Sequence, residues 1–113
     1  MEQNNLNKIL RLHEKWINKE IDGRRADLSG ADLSGANLSG ANLDLASWPL
    51  WCGTKDVKVD VRIARQIAAH FCCLDLNDKE YQKARLAVLD FAGKSHIASR
   101  LLEIQQLDKE GEK

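Results

Sequence analysis

"ADLSGADLSGANLSGANL", Ala26 to Leu43, says nearly the same thing four times in steps of five residues. Its leucines stand at 28, 33, 38 and 43, and Trp48 follows in the same phase. A step of five suits neither common period. On a helix it rotates each side chain by about 140°, so the leucines would scatter around the axis. On a straight strand it sends each leucine to the face opposite the last. Regular burial therefore requires the chain to turn once per repeat. Ala26, Ala31, Ala36 and Ala41 keep a second phase, small enough for a crowded interior. Gly30, Gly35 and Gly40 mark the turns, where a residue free to take positive φ is useful. Asp27, Asp32, Asn37 and Asn42 carry short polar side chains that hydrogen-bond local backbone and help set such turns. This is a solenoid signature.

The run resembles the pentapeptide-repeat family, whose motif is a small residue, Asp or Asn, Leu or Phe, a polar residue and a turn residue. The resemblance is close over residues 26–45. It implies an α+β fold containing about one coil of a right-handed, four-sided β-helix, with one pentapeptide per side. Leu28, Leu33, Leu38 and Leu43 would point inward, accompanied by Ala26, Ala31, Ala36 and Ala41. Trp48 is expected to stack over Leu28 and begin a second coil. With rungs about 4.8 Å apart, one coil is a slab and not a rod. Family members that imitate duplex DNA need many coils, a pattern from which this chain departs. A single coil has two open ends with unpaired backbone groups, so both must be covered.

The flanks offer those covers. Leu6, Ile9, Leu10, His13, Trp16, Ile17 and Ile21 recur at spacings of three and four, which predicts a capping helix over residues 1–22. Gly23 is placed to end it. After the connection "PLWCGTKD", Val57–Asp60 reads as a short extended piece, with Asp60 as a helix N-cap. Ile63, Ala64, Ile67, Ala68, Phe71 and Leu74 predict the inner face of a helix over 61–74. Asn77 or Asp78 would cap a second helix carrying Tyr81, Ala84, Arg85, Val88, Leu89 and Ala92 inward, and Ser95 a third. The expected organisation is one domain over 1–113: capping helix 1–22, repeat coil 26–48, and a bundle of about three helices over 57–107.

Composition narrows the function. Formal net charge is zero, which offers no whole-molecule attraction to nucleic acid. No apolar run approaches the length of a membrane span, and "MEQNNLNKILRLHEKW" lacks a signal peptide's apolar core, so a cytoplasmic protein is expected. Cys52, Cys72 and Cys73 are too few for a disulfide framework and read as buried thiols. "HFCC" tempts a zinc reading, yet it contains no CxxC pair, and His70 and Cys72 diverge on a helix. His13 and His96 stand alone and read as structural or solvated. No phosphate loop, nucleophile constellation or carboxylate pair stands out, so neither an enzyme nor a cofactor is expected.

Between Ala26 and Thr54 there is no Lys or Arg, while Asp27, Asp32 and Asp44 make the repeat mildly acidic. These three carboxylates and Trp51 are the candidate partner-binding residues. The family resemblance, with a layout similar to short phage and prophage members, implies a non-enzymatic interaction module. Its expected role is a phage-encoded inhibitor, anti-CRISPR or otherwise anti-defence, that docks on a host protein or nucleoprotein complex. The alternatives are a structural or oligomerising protein forming a homodimer, a direct nucleic-acid binder, and a small metal-binding protein.

Overall fold

A computed structural model describes residues 1–98. The chain divides into two compact units, Met1–Asp60 and the part from Val61 onward. In the first unit, α1 (Gln3–Ile17) buries Leu6 and His13 and half-buries Ile9, Leu10, Trp16 and Ile17. It stops at Ile17, short of the expected end, and Ile21 lies exposed. Gly23 is not its cap. The chain turns back there so closely that a Cβ on Gly23 would run into the backbone of Lys15 and Trp16. Glycine is required for that approach.

The repeat follows as four turns. Ala31, Ala36, Ala41 and Ala46 each donate their N–H to the carbonyl three residues earlier, at Leu28, Leu33, Leu38 and Leu43. Asp27, Asp32, Asn37 and Asn42 each accept the backbone N–H two residues on, at 3.0–3.1 Å. Two devices thus bend every repeat, one in the backbone and one in the side chain. Leu28, Leu33, Leu38, Leu43, Ala26 and Ala36 are buried, whereas Ala31, Ala41 and Trp48 are only half-buried.

The expected β-helix is not what forms. Among the described residues there are three α-helices and a 3₁₀ turn at Cys52–Thr54, with no strand and no sheet. Only two isolated parallel bridges occur, Asp27 with Ser47 and Asn37 with Lys58. The reason is local. Each repeat spends its residues on its own turn, leaving a single residue per side to pair, and single pairs do not propagate into a ladder. The layer above is also out of step. Ser47 lies twenty positions after its partner and Lys58 twenty-one after its own. One residue has been added between them, in the stretch holding the 3₁₀ turn.

The bridges still show a chain that returns over itself after about four repeats. Leu28 N–H donates to Ser47 O, Leu33 N–H to Gly53 O, and Leu38 N–H to Lys58 O, at 2.7–3.2 Å. Asp60, an expected helix cap, gives its carboxylate to Gly40 N–H at 2.6 Å. The other edge of the circuit is met by α1. The Met1 amino group donates to Asp32 O, and the Gln3 side chain both accepts from Asn37 N–H and donates to Asn37 O, each at 2.9 Å. His13, fully buried, receives Ala26 N–H on Nδ1 at 3.0 Å. That leaves Nε2 to carry the ring proton and donate to Asp44 O at 2.8 Å. Trp16 stacks on the imidazole with ring centroids 5.7 Å apart.

In the second unit, α2 (Val61–Cys72) packs on α3 (Lys79–Gly93). Asp78 caps α3 by accepting Tyr81 N–H at 2.8 Å. Ala69, Cys72, Leu89, Ala92 and Ile97 form the shared core. The expected inner face of α2 is corrected by this packing: Ile63 is buried, but Ile67, Phe71 and Leu74 are exposed. On α3, Ala84 is likewise exposed while Tyr81, Arg85, Leu89 and Ala92 are buried. Small residues let the two helices approach closely, so they win the interface over bulkier neighbours. The third helix of the expected bundle lies mostly outside the described residues.

His13→Ala removes both ring hydrogen bonds and strands the buried Ala26 N–H and the part-buried Asp44 C=O. It should lower the stability of the first unit by about 3 kcal/mol. Trp16, Trp48 and Trp51 all lie in that unit, so urea denaturation followed by tryptophan fluorescence reads it selectively.

Candidate functional site

The outward face of the repeat is where the expected partner-binding residues lie. Asp27 is exposed, and its carboxylate accepts the Ser29 hydroxyl at 2.6 Å and the Ser29 N–H at 3.1 Å. Asp32 is exposed and accepts Ser34 N–H at 3.0 Å. Bonds from the Ser29 hydroxyl, then the Ser29 N–H, hold the Asp27 carboxyl below its ordinary value, and Ser34 does the same for Asp32. A depressed carboxyl favours the folded state above the ordinary value of about 4, and that contribution is lost as pH falls through the folded value.

These carboxylates are not one acidic patch. Asp27 and Asp32 belong to successive turns of a circuit that closes only after twenty residues, so they face different directions. Asp44 is half-buried, with its carbonyl on His13 and its N–H on the Asn42 side chain. Trp51 is half exposed. A Cβ at Gly53 would sit 2.6 Å from the Trp51 ring, so the indole lies against the backbone there.

Sequence reasoning passed over Leu45, and it read Leu50 as filling the joint after the repeat. Leu45 occupies the fifth position of its repeat, where the three earlier repeats carry Gly30, Gly35 and Gly40. In the two repeats before it that position takes the left-handed region, as it does at Leu45, with φ +71° at Gly35, +80° at Gly40 and +66° at Leu45, whereas Gly30 stays outside that region. A leucine there is strained by about 1–2 kcal/mol, and its side chain is nonetheless 64% exposed. Leu50 is 98% exposed, beside Trp51. The signal was legible, a bulky apolar residue in a glycine phase, but it needs the φ angle to acquire meaning.

The remaining chemistry is sparse. Cys52 is exposed, not buried as expected, while Cys72 is buried and Cys73 half-buried. The Cys72 thiol points at Arg85 O, 4.0 Å away, and burial pushes its pKa up, the reverse of what a nucleophile needs. His70 is exposed. Among the described residues no group of three or more His, Cys, Asp or Glu is placed to hold a metal ion. No helix among them is long and apolar enough to cross a membrane.

Comparison with known families matches residues 20–47 to pentapeptide repeats (8 copies). Those residues contain the whole of the quoted run, its four turns and Leu45. The match stops before Leu50 and Trp51 and does not extend to α2 and α3. No curated protein matches the chain, and no solved structure does.

Ser29→Ala should return the Asp27 carboxyl toward 3.8, because the hydroxyl bond is the largest cause of its depression. A carboxyl titration by NMR checks this, with Asp32, whose depression by Ser34 the substitution leaves in place, as the internal control.

Proposed function

We propose that this chain is a non-enzymatic protein-interaction module, and that its contact surface includes Leu45, Leu50 and Trp51 together with the carboxylates of Asp27, Asp32 and Asp44. The observation that carries the reading is Leu45, an exposed leucine in a backbone conformation that the neighbouring repeats give to glycine. Strain retained at an exposed apolar side chain has no benefit to the fold, so a role in contact accounts for it. Leu50 and Trp51, six positions or fewer away in sequence, add apolar area of the kind that anchors interfaces.

The likeness of residues 20–47 to pentapeptide repeats supports the choice of partner. That family includes inhibitors of DNA-handling machines, and the proposed partner is a protein or nucleoprotein complex of a bacterial host cytoplasm. A phage-encoded inhibitor, anti-CRISPR or otherwise anti-defence, is the role proposed for it. The scattered directions of Asp27 and Asp32 favour separate contacts to basic side chains over imitation of a regular line of phosphates.

Leu45→Gly separates binding from folding. It should raise the stability of the first unit, by relief of strain, by about 1 kcal/mol. The same change, combined with Leu50→Ser, should remove capture of a stoichiometric partner from host lysate by the immobilised protein. Capture that survives both substitutions, and also charge reversal at Asp27, Asp32 and Asp44, would overturn the proposal.

A further inference from the structure

The edge of the repeat that faces α1 is sealed unevenly. At Asn37 the sealing is complete: the Gln3 carboxamide accepts the N–H and donates to the C=O of the same residue. A primary amide there does what an adjacent peptide strand would do. Asn42 is the equivalent residue one repeat later. Its side chain holds Asp44 N–H, as that of Asn37 holds Ser39 N–H. Its own N–H and C=O have no partner among the described residues.

The helix explains the difference. Leu10 comes seven positions after Gln3, two turns along the same face of α1, and a leucine has no group to offer. Beside Asn42 lies a groove of about 290 Å³ lined by Asn7, Leu10, Arg11 and Glu14 from α1 and by Ser39 and Asn42 from the repeat, among others. Arg11 and Glu14 cancel in charge, and the other polar lining groups are amides and a hydroxyl. Such a wall suits a neutral, dipolar ligand better than an ion.

We propose that this groove binds a neutral amide presented by a partner polypeptide, either a Gln or Asn carboxamide or an extended peptide segment, held by Asn42 N–H and C=O as Gln3 is held by Asn37. A half-buried backbone pair gains a donor and an acceptor at once, which sets the specificity: a carboxylate satisfies only the N–H, and an alcohol or amine cannot span both groups. The site is separate from Leu45, Leu50 and Trp51, none of which lines the groove, and it does not depend on their role.

Amide-resolved NMR titration of the full chain tests it, with propanamide, N-acetylalanine methylamide and propanoate as probes. The expected result is a saturable shift of the Asn42 amide resonance with one or both amides, and binding of propanoate at least about tenfold weaker. Tighter binding of propanamide assigns the site to side-chain carboxamides; tighter binding of the methylamide assigns it to extended backbone. Leu10→Gln supplies the amide from α1 itself, so it should shift Asn42 without ligand and abolish the response to the probes. Leu45→Gly should leave that response intact. Absence of a saturable shift at Asn42 with either amide, or propanoate binding as well as they do, would overturn the proposal.

Discussion

One imidazole closes the repeat. His13 takes Ala26 N–H on one ring nitrogen and gives the proton of the other to Asp44 O. Ala26 begins the repeat and Asp44 stands near its end, so a single side chain from α1 joins the two ends of the circuit. The ring is fully buried, and only the tautomer protonated at Nε2 serves both partners. Trp16 stacked on the ring, with Arg25 over the indole at 5.8 Å, fixes its plane. Every other contact of α1 with the repeat follows from that alignment. Gln3 meets Asn37, and Met1 meets Asp32, because His13 fixes the helix at its other end.

The layer on the opposite edge obeys a looser rule. Ser47 and Lys58 each accept one bond from the repeat and donate another, Gly53 and Lys55 only accept, and an added residue breaks the register between the first bridge and the second. Trp51 lies against Gly53 where the chain makes its 3₁₀ turn. The result is a stack of turns held by isolated bonds, in which no strand develops. Stability then rests on the buried leucines and on what α1 supplies, since no cooperative ladder contributes.

The second unit is built on a different compromise. Arg85 is buried and donates from Nε to Cys72 O at 2.8 Å, closing the end of α2, while the Tyr81 hydroxyl reaches Phe71 O at 2.7 Å. Polar groups from α3 thus satisfy the last carbonyls of α2, which a helix end otherwise leaves without partners. With the close approach given to Ala69, Cys72 and Ala92, the larger Ile67 and Leu74 are left outward.

The sequence by itself determined the turn at every fifth residue, because no straight element can bury leucines at that spacing. It also determined which residues set those turns, since short Asp and Asn side chains and glycines have few other uses in such a phase. Tertiary structure alone decided the rest. No local pattern tells a lone histidine that it will meet both ends of a repeat, and that meeting made His13 the closing bond. Nor does periodicity rank two apolar faces of one helix. The bulky face of α2 gave the stronger signal, but close packing favoured the small one. The β-helix expectation failed for the same kind of reason. Repeat spacing fixes where a chain bends, whereas a ladder also needs matching residues in the next layer, and here the register slips by one.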